Sequence, residues 1–392
     1  MKKQAMEFCE RLGIEYSEGL LPYYERGLKH YRSEGLRIFD SDRLRRINKK
    51  YNIFRTLLDR VLEAGEIIQK NPDLVLYNYI AREVIADKVP FNKLLSLPDR
   101  GCVETDHSVT YAILSHLEDA IARLEKRNLP LEIISDTLGG IESEMIAYFE
   151  FNGRYGTRGY VGWYSLFLHG EIIRVGRLQY QFIKFSSPVR VFRKGDDVAV
   201  LMDGVDMHKK GMLFGSLGQC DEEGKYFADI KEEGNAVTGY RANRYGEVDP
   251  EPVTLVGYSE PLKRGDTVLA IHITNSEPFN FELVQASFAA ADEFFPQYYP
   301  DVEVKGYFAH SWVLEKRLRD IMGRDTNITR LADMFVGIPT KGNQHGAYMY
   351  LFGVEQGTPA EALPERSSMQ RAVKKYLQDG NYFYDKAGIR LI

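Results

Sequence analysis

The chain has 392 residues, 44% of them hydrophobic and 27% charged, with 51 Lys+Arg against 56 Asp+Glu for a formal net charge of -5. That length predicts two domains, each large enough to bury its own core, and a faintly acidic balance makes neither nucleic acid nor an anionic membrane an expected partner. No 18 apolar residues run together to span a bilayer and no apolar stretch follows Lys2 and Lys3 as in a signal peptide, while Cys9, Cys102 and Cys220 are too scattered to form a Cys-x-x-Cys metal site; the expectation is a reduced, cytoplasmic, metal-free protein.

From residue 1 to about 152 the apolar positions recur at helical spacing, and helices are predicted over 45–70, 72–87, 109–128 and 140–151. In the third, Ile113, Leu114, Leu117, Ile121 and Leu124 form one stripe with Glu118, Asp119, Glu125 and Lys126 mostly opposite, the pattern of a helix packed on a bundle. Gly153, Gly156 and Gly159 then mark a boundary between domains 1–153 and 154–392. Beyond it the period drops to two, with strands predicted over 171–175, 178–185, 189–192 and 198–202 and a hairpin at Lys194-Gly-Asp-Asp. Residues 203–255, rich in glycine and charge, predict loops and short strands.

The most informative stretch is 266–322. Asp266-Thr-Val-Leu-Ala-Ile-His-Ile-Thr reads as a strand. Leu283, Val284, Phe288, Ala291 and Phe295 then mark a helix over about 280–299, with Asn280 as its N-cap, and Val304-Lys-Gly-Tyr-Phe-Ala-His reads as a second strand. Two strands joined through a helix in one sheet run parallel, and ligands of open α/β sheets bind beyond the carboxyl ends of such strands. His272 and His310 each stand at that end, so adjacent strands would bring two imidazoles and the hydroxyls of Thr274 and Ser311 to one crevice. Histidine titrates near neutrality and suits proton transfer; a hydrogen-bonded structural role is the competing reading of each ring taken alone. A helix over 312–322, a short helix from about 327, a strand at 347–352, a helix over 359–377 and a closing strand over 382–391 complete the chain.

The remaining polar clusters read as structure. In Glu104-Thr-Asp-His107 the favoured role is helix capping by Thr105 or Asp106. His208 and His345 fall in glycine-rich loops where a solvated surface is expected. Arg174 and Arg177, on opposite sheet faces if their strand is unbroken, suit either a bound carboxylate or phosphate or an ordinary ion pair.

Asp136-Thr-Leu-Gly-Gly-Ile, Gly176-Arg-Leu-Gln-Tyr, Asp292-Glu-Phe-Phe-Pro-Gln-Tyr-Tyr-Pro, His310-Ser-Trp-Val-Leu and Asn327-Ile-Thr-Arg-Leu together resemble, in order along nearly the whole chain, a bacterial family of acyltransferase-domain-containing proteins. That family pairs a helical N-acyltransferase N-terminal domain with a C-terminal domain similar to the GNAT N-acetyltransferase fold. The resemblance implies an α+β protein, all-helical and then GNAT-like with a mixed sheet. It places the family's fourth strand at 267–274, its third helix at 280–299, its fifth strand at 304–310 and its fourth helix at 312–322. It further implies transfer of an acyl group from a CoA-type or carrier thioester to an amine or hydroxyl of a small-molecule substrate, with acyl-CoA as co-substrate. His310 would be the general base, His272 would orient substrate or stabilise the oxyanion, and Ser311 would protonate the thiolate. Thr274, Asn275, Ser276 and Asn280 would hold the donor at the helix N-terminus.

The chain departs from the GNAT pattern at two points. Residues 274–280, Thr-Asn-Ser-Glu-Pro-Phe-Asn, contain neither the glycines nor the cation of the usual pyrophosphate cradle, and 312–322 contain no tyrosine to protonate a thiolate. Both favour the alternative reading, a non-catalytic ligand-binding or assembly protein on a GNAT-like scaffold. A third reading, a hydrolase or metal-dependent enzyme, would use the same two histidines with nearby carboxylates.

Overall fold

The computed structural model describes residues 1–274 and 279–392, which divide into two compact units: 1–179 with 273–274, and 180–272 with 279–392.

The first unit is a helical assembly around Pro72–Ala86, whose N-cap Asn71 accepts from the backbone N–H of Asp73 at 3.0 Å. The helix expected over 45–70 is two helices, Ser41–Tyr51 and Leu58–Ile68. Asn52, left-handed at φ 49°, ends the first. The second begins on a carboxylate remote in sequence: buried Glu142 accepts from the N–H groups of Thr56 and Leu57, each at 2.7 Å, satisfying donors that a helix start leaves without partners. The run expected over 109–128 also divides, into Thr110–Leu114 and Leu117–Glu125, where Ser115 turns its hydroxyl back onto the Ala112 carbonyl at 2.7 Å. Gly140–Asn152 ends at Gly153 with φ 68°, and Val161–Leu168 follows. Among the described residues no strand precedes Ile172–Val175.

Within the second unit the main sheet runs in the order Leu178–Lys184, Thr267–Ile273, Val304–Ser311, Lys386–Leu391, Val336–Ile338. The Thr267–Ile273 and Val304–Ser311 strands are parallel and are connected through the Phe281–Tyr298 helix. Lys386–Leu391 is antiparallel to both of its neighbours. One face of the sheet meets the helix: Tyr180 Oη bonds Ser287 Oγ at 2.9 Å, and the Tyr307 ring lies 4.9 Å from that of Phe288. The other face presents Phe185, Val268, Ala387 and Ile389 to a core completed by Val189, Val191, Val200 and Met202. These last come from the Val189–Lys194 and Asp197–Met202 hairpin, turned at Gly195 with φ 59°.

Three expectations for this unit are corrected. Residues 347–352 form a wide helical turn, Ala347–Phe352, and not a strand. Six apolar and aromatic residues in a row fit either state by periodicity, and Tyr348 and Phe352, four apart, enter the same buried cluster. The helix expected over 312–322 is a 3₁₀ turn, Trp312–Leu314, followed by Leu318–Met322. The helix expected from 359 begins at Ser368, where Ser367 and Gln370 form a reciprocal capping box. The short strand Val336–Ile338 had no signal in the sequence.

Candidate functional site

The last ladder pair between the two histidine strands is Ala270 with Phe308. Extending that register by two residues sets His272 opposite His310, and alternation puts both on the sheet face opposite the Phe281–Tyr298 helix. Each strand continues past the pair, to Ile273 and to Ser311, and Val304–Ser311 keeps pairing with the closing strand as far as Ser311 with Lys386. The two carboxyl ends therefore part. A bulge contributes to this: Thr267 pairs with Val304 but Leu269 with Tyr307, which inserts one residue into the second strand and adds twist. Gly306 lies at the bulge, and a Cβ there would stand 2.6 Å from the Arg390 carbonyl oxygen.

His272 is half-buried, with Nε2 3.0 Å from Gln181 Oε1 on the adjacent strand. Burial pushes its pKa down to about 4, so at neutral pH the ring is uncharged and donates from Nε2–H, which leaves the lone pair on Nδ1. His310 is exposed and has Ala387 as its cross-strand partner. Ser311, next along the strand, turns to the helix face; its hydroxyl accepts from Val313 N–H at 3.4 Å and caps the 3₁₀ turn.

The residues expected to hold a donor are placed as follows. Asn280 caps the long helix and accepts from Leu283 N–H at 3.0 Å. Within the first unit, Thr274 accepts two bonds from Arg177, one on Oγ1 and one on its carbonyl, both 2.9 Å. Asn275 and Ser276 lie outside the described residues. A cation from another element stands near the helix start: the Arg330 guanidinium lies 4.0 Å over the Phe281 ring and 2.8 Å from Glu282, and Asn327 Nδ2 donates to the Phe279 carbonyl at 3.2 Å. The Asn327-Ile-Thr-Arg-Leu motif carried this arginine, but only the fold brings it to the helix start.

Several other expectations change. Asp106 caps no helix; it is buried and takes bonds from Tyr148 Oη at 2.8 Å and Arg154 Nε at 2.7 Å. Burial works against its charge, but these two donors prevail and hold the carboxyl below its usual range. His208 is fully buried, not solvated, and pairs with Asp221 through Nε2 at 2.9 Å. His345 is exposed, as expected. Arg174 and Arg177 are both buried across a turn at Gly176, φ 61°, so the unbroken strand that would have opposed them does not exist. A half-buried ionic cluster in the second unit escaped the sequence altogether. Arg317 grips Glu247 with two bonds of 2.6 and 2.7 Å, and Lys386 Nζ stands 3.9 Å from the same carboxylate.

Among the described residues no group of three or more His, Cys, Asp and Glu is placed to hold a metal ion, and no helix is long and apolar enough to cross a membrane. The family model described as a GNAT-like C-terminal domain matches residues 172–390. Comparison with curated proteins gives no match. Among solved structures, an acyltransferase in complex with decanoyl-CoA is similar at 16% identity and a TM-score of 0.60, over 99% of each chain. An acyltransferase in complex with CoA and 10C-teicoplanin is similar at 16% identity and a TM-score of 0.58, over 88% of this chain and 87% of that one. An acyltransferase mutant in complex with octanoyl-CoA is similar at 15% identity and 0.57, over 90% and 88%. At these identities the likeness is one of fold.

Proposed function

Since the chain belongs to the family of GNAT-like C-terminal domains, matched over residues 172–390, we propose that it is an acyltransferase whose donor is an acyl-CoA or carrier-bound thioester and whose acceptor is a small-molecule amine or hydroxyl. The observation that carries this reading is the pair of histidines on one sheet face, at the point where two parallel strands part. A gap of that kind admits the pantetheine arm between the strand ends, with the donor's pyrophosphate toward Asn280, the first N–H groups of Phe281–Tyr298 and Arg330. The solved acyltransferases of like fold, in complex with CoA or acyl-CoA, support the same donor class.

In the reaction the acceptor nitrogen or oxygen attacks the thioester carbonyl carbon. A new C–N or C–O bond forms, the C–S bond breaks, and the electron pair leaves with sulfur. His310, exposed at the strand end, takes the acceptor's proton during attack and returns it to the departing thiolate, so no other reagent is consumed. His272, held neutral and fixed by Gln181, orients the acyl group without placing a second positive charge beside the protonated His310. Ser311, on the opposite face, serves the site by capping the turn that ends the His310 strand.

The test is thiol release from decanoyl-CoA with ethanolamine, which offers both an amine and a hydroxyl. His310→Gln is expected to lower kcat by about 10²–10⁴ with little change in Tm, because the ring is exposed. A variant that melts well below the parent yet keeps full turnover per folded molecule would eliminate the catalytic role. The non-catalytic reading, motivated by the cradle lacking glycine and by the missing tyrosine, predicts no thiol release by the parent either.

A further inference from the structure

Asp385 stands immediately before the closing strand and two residues before Ala387, the cross-strand partner of His310. Diagonal neighbours of that kind on one sheet face lie about 7–8 Å apart at the backbone, within reach of an imidazole and a carboxylate. The Asp385 side chain is 6% exposed. Its Oδ2 accepts from Gly346 N–H at 2.8 Å, whereas buried Oδ1 has no hydrogen-bond partner. A buried carboxylate oxygen without a donor is costly and calls for a use. Substituting Gly346 cannot supply a partner there, since a Cβ would stand 2.6 Å from Oδ1.

The titratable groups that act on the carboxyl are His310, from the adjacent strand, and His345, from the turn before Ala347–Phe352. Burial raises the Asp385 pKa, and the Gly346 N–H, the two histidines and, least, the Ala347 N–H pull it back. Of the two rings, only His310 stands on the strand whose register faces the parted ends.

We propose that Asp385 is the positioning residue of His310: its unpartnered Oδ1 receives the imidazole N–H distal to substrate, fixing the ring's tautomer and orientation and balancing the charge that the ring acquires on taking the acceptor's proton. The carboxylate keeps its own proton inventory unchanged; the proton travels from acceptor to His310 to thiolate, as in the reading on which this inference rests. Gln181, His272 and His310, on three successive strands, and Asp385, just before the fourth, then form one polar row, with Gln181 fixing one imidazole at one end and Asp385 the other at the far end.

The experiment is a double-mutant cycle on the full chain with decanoyl-CoA and ethanolamine. Asp385→Asn keeps an oxygen for Gly346 N–H and removes the charge. Its kcat is expected to fall at least about 10-fold with KM nearly unchanged, and to fall no further when His310 is already Gln. Parent-like kcat in Asp385→Asn, or a loss that multiplies with that of His310→Gln, overturns the inference. Full turnover in His310→Gln would remove His310 as the base and overturn the inference with it, whereas absence of thiol release by the parent would defeat the acyl-transfer reading itself, so the two failures are distinguishable. Should Asp385→Asn not fold, ¹⁵N-resolved imidazole spectra of the unmodified protein decide. A single His310 tautomer with a slowly exchanging ring N–H, absent from His310→Gln, supports the pair, and a ring averaging between tautomers overturns it.

Discussion

His107 shows how one side chain couples the first unit to pH. It is 3% exposed, with Nδ1 3.1 Å from Thr110 Oγ1, and burial lowers its pKa from 6.5 to about 4. The unfolded chain therefore takes up the proton first as pH falls, and native stability is lost from about pH 6.5 down to about 4, not gained. At 1.36 kcal/mol per unit the loss between pH 7 and pH 5 is about 2 kcal/mol. Half-buried His272 pushes in the same direction within its own unit. The chain has two tryptophans, so in a Trp312→Phe background the fluorescence of Trp163 follows the first unit alone. Urea midpoints read that way are expected to drop between pH 7 and pH 5, and His107→Asn should flatten the drop whatever it does to stability at pH 7. An unchanged pH slope in the variant would mean that other groups carry the acid sensitivity.

Elements formed by periodicity were legible; those set by a distant partner were not. The strand, helix and strand between Thr267 and Ser311 follow from alternation and from apolar residues at three- and four-residue spacing, and with them came His272, His310 and the N-cap Asn280. The split of 45–70 into two helices depends on Glu142, far along the chain, and the state of 347–352 depends on what Tyr348 and Phe352 pack against. Gln181 and Asp385 gave no local signal because each acts on a residue of another strand. Gly65 illustrates the same contest between local and distant terms. Mid-helix glycine is about 1 kcal/mol worse than alanine by propensity, so Gly65→Ala ought to stabilise Leu58–Ile68. A Cβ there, however, would fall 2.0 Å from the Tyr111 hydroxyl, which is anchored on the Val61 carbonyl at 2.8 Å. Packing should win, and Gly65→Ala is expected to destabilise by about 1–3 kcal/mol. Equal or higher stability in thermal melts would show that Tyr111 moves aside at little cost.

For the molecule as a whole, the proposed donor site draws a cation near the long helix from another element, since Arg330 packs on Phe281 and pairs with Glu282 at the start of that helix. A ligand that binds the native state alone stabilises it by about 2.7 kcal/mol at a hundred times its Kd, which for domains of 150–250 residues corresponds to roughly 2–4 °C per kcal/mol in Tm. Decanoyl-CoA is therefore expected to raise Tm by several degrees. Decanoyl-pantetheine shares the acyl and pantetheine parts but lacks the pyrophosphate, so it should protect less at equal concentration. If Arg330 meets the pyrophosphate, Arg330→Ala should shrink the difference between the two ligands while leaving protection by decanoyl-pantetheine in place, and added salt should shrink it further because the contact is exposed. Equal protection by both ligands in the parent would assign the donor to a carrier-bound thioester in place of CoA. Protection by neither would remove the thioester from the site and leave the scaffold as a binding or assembly module.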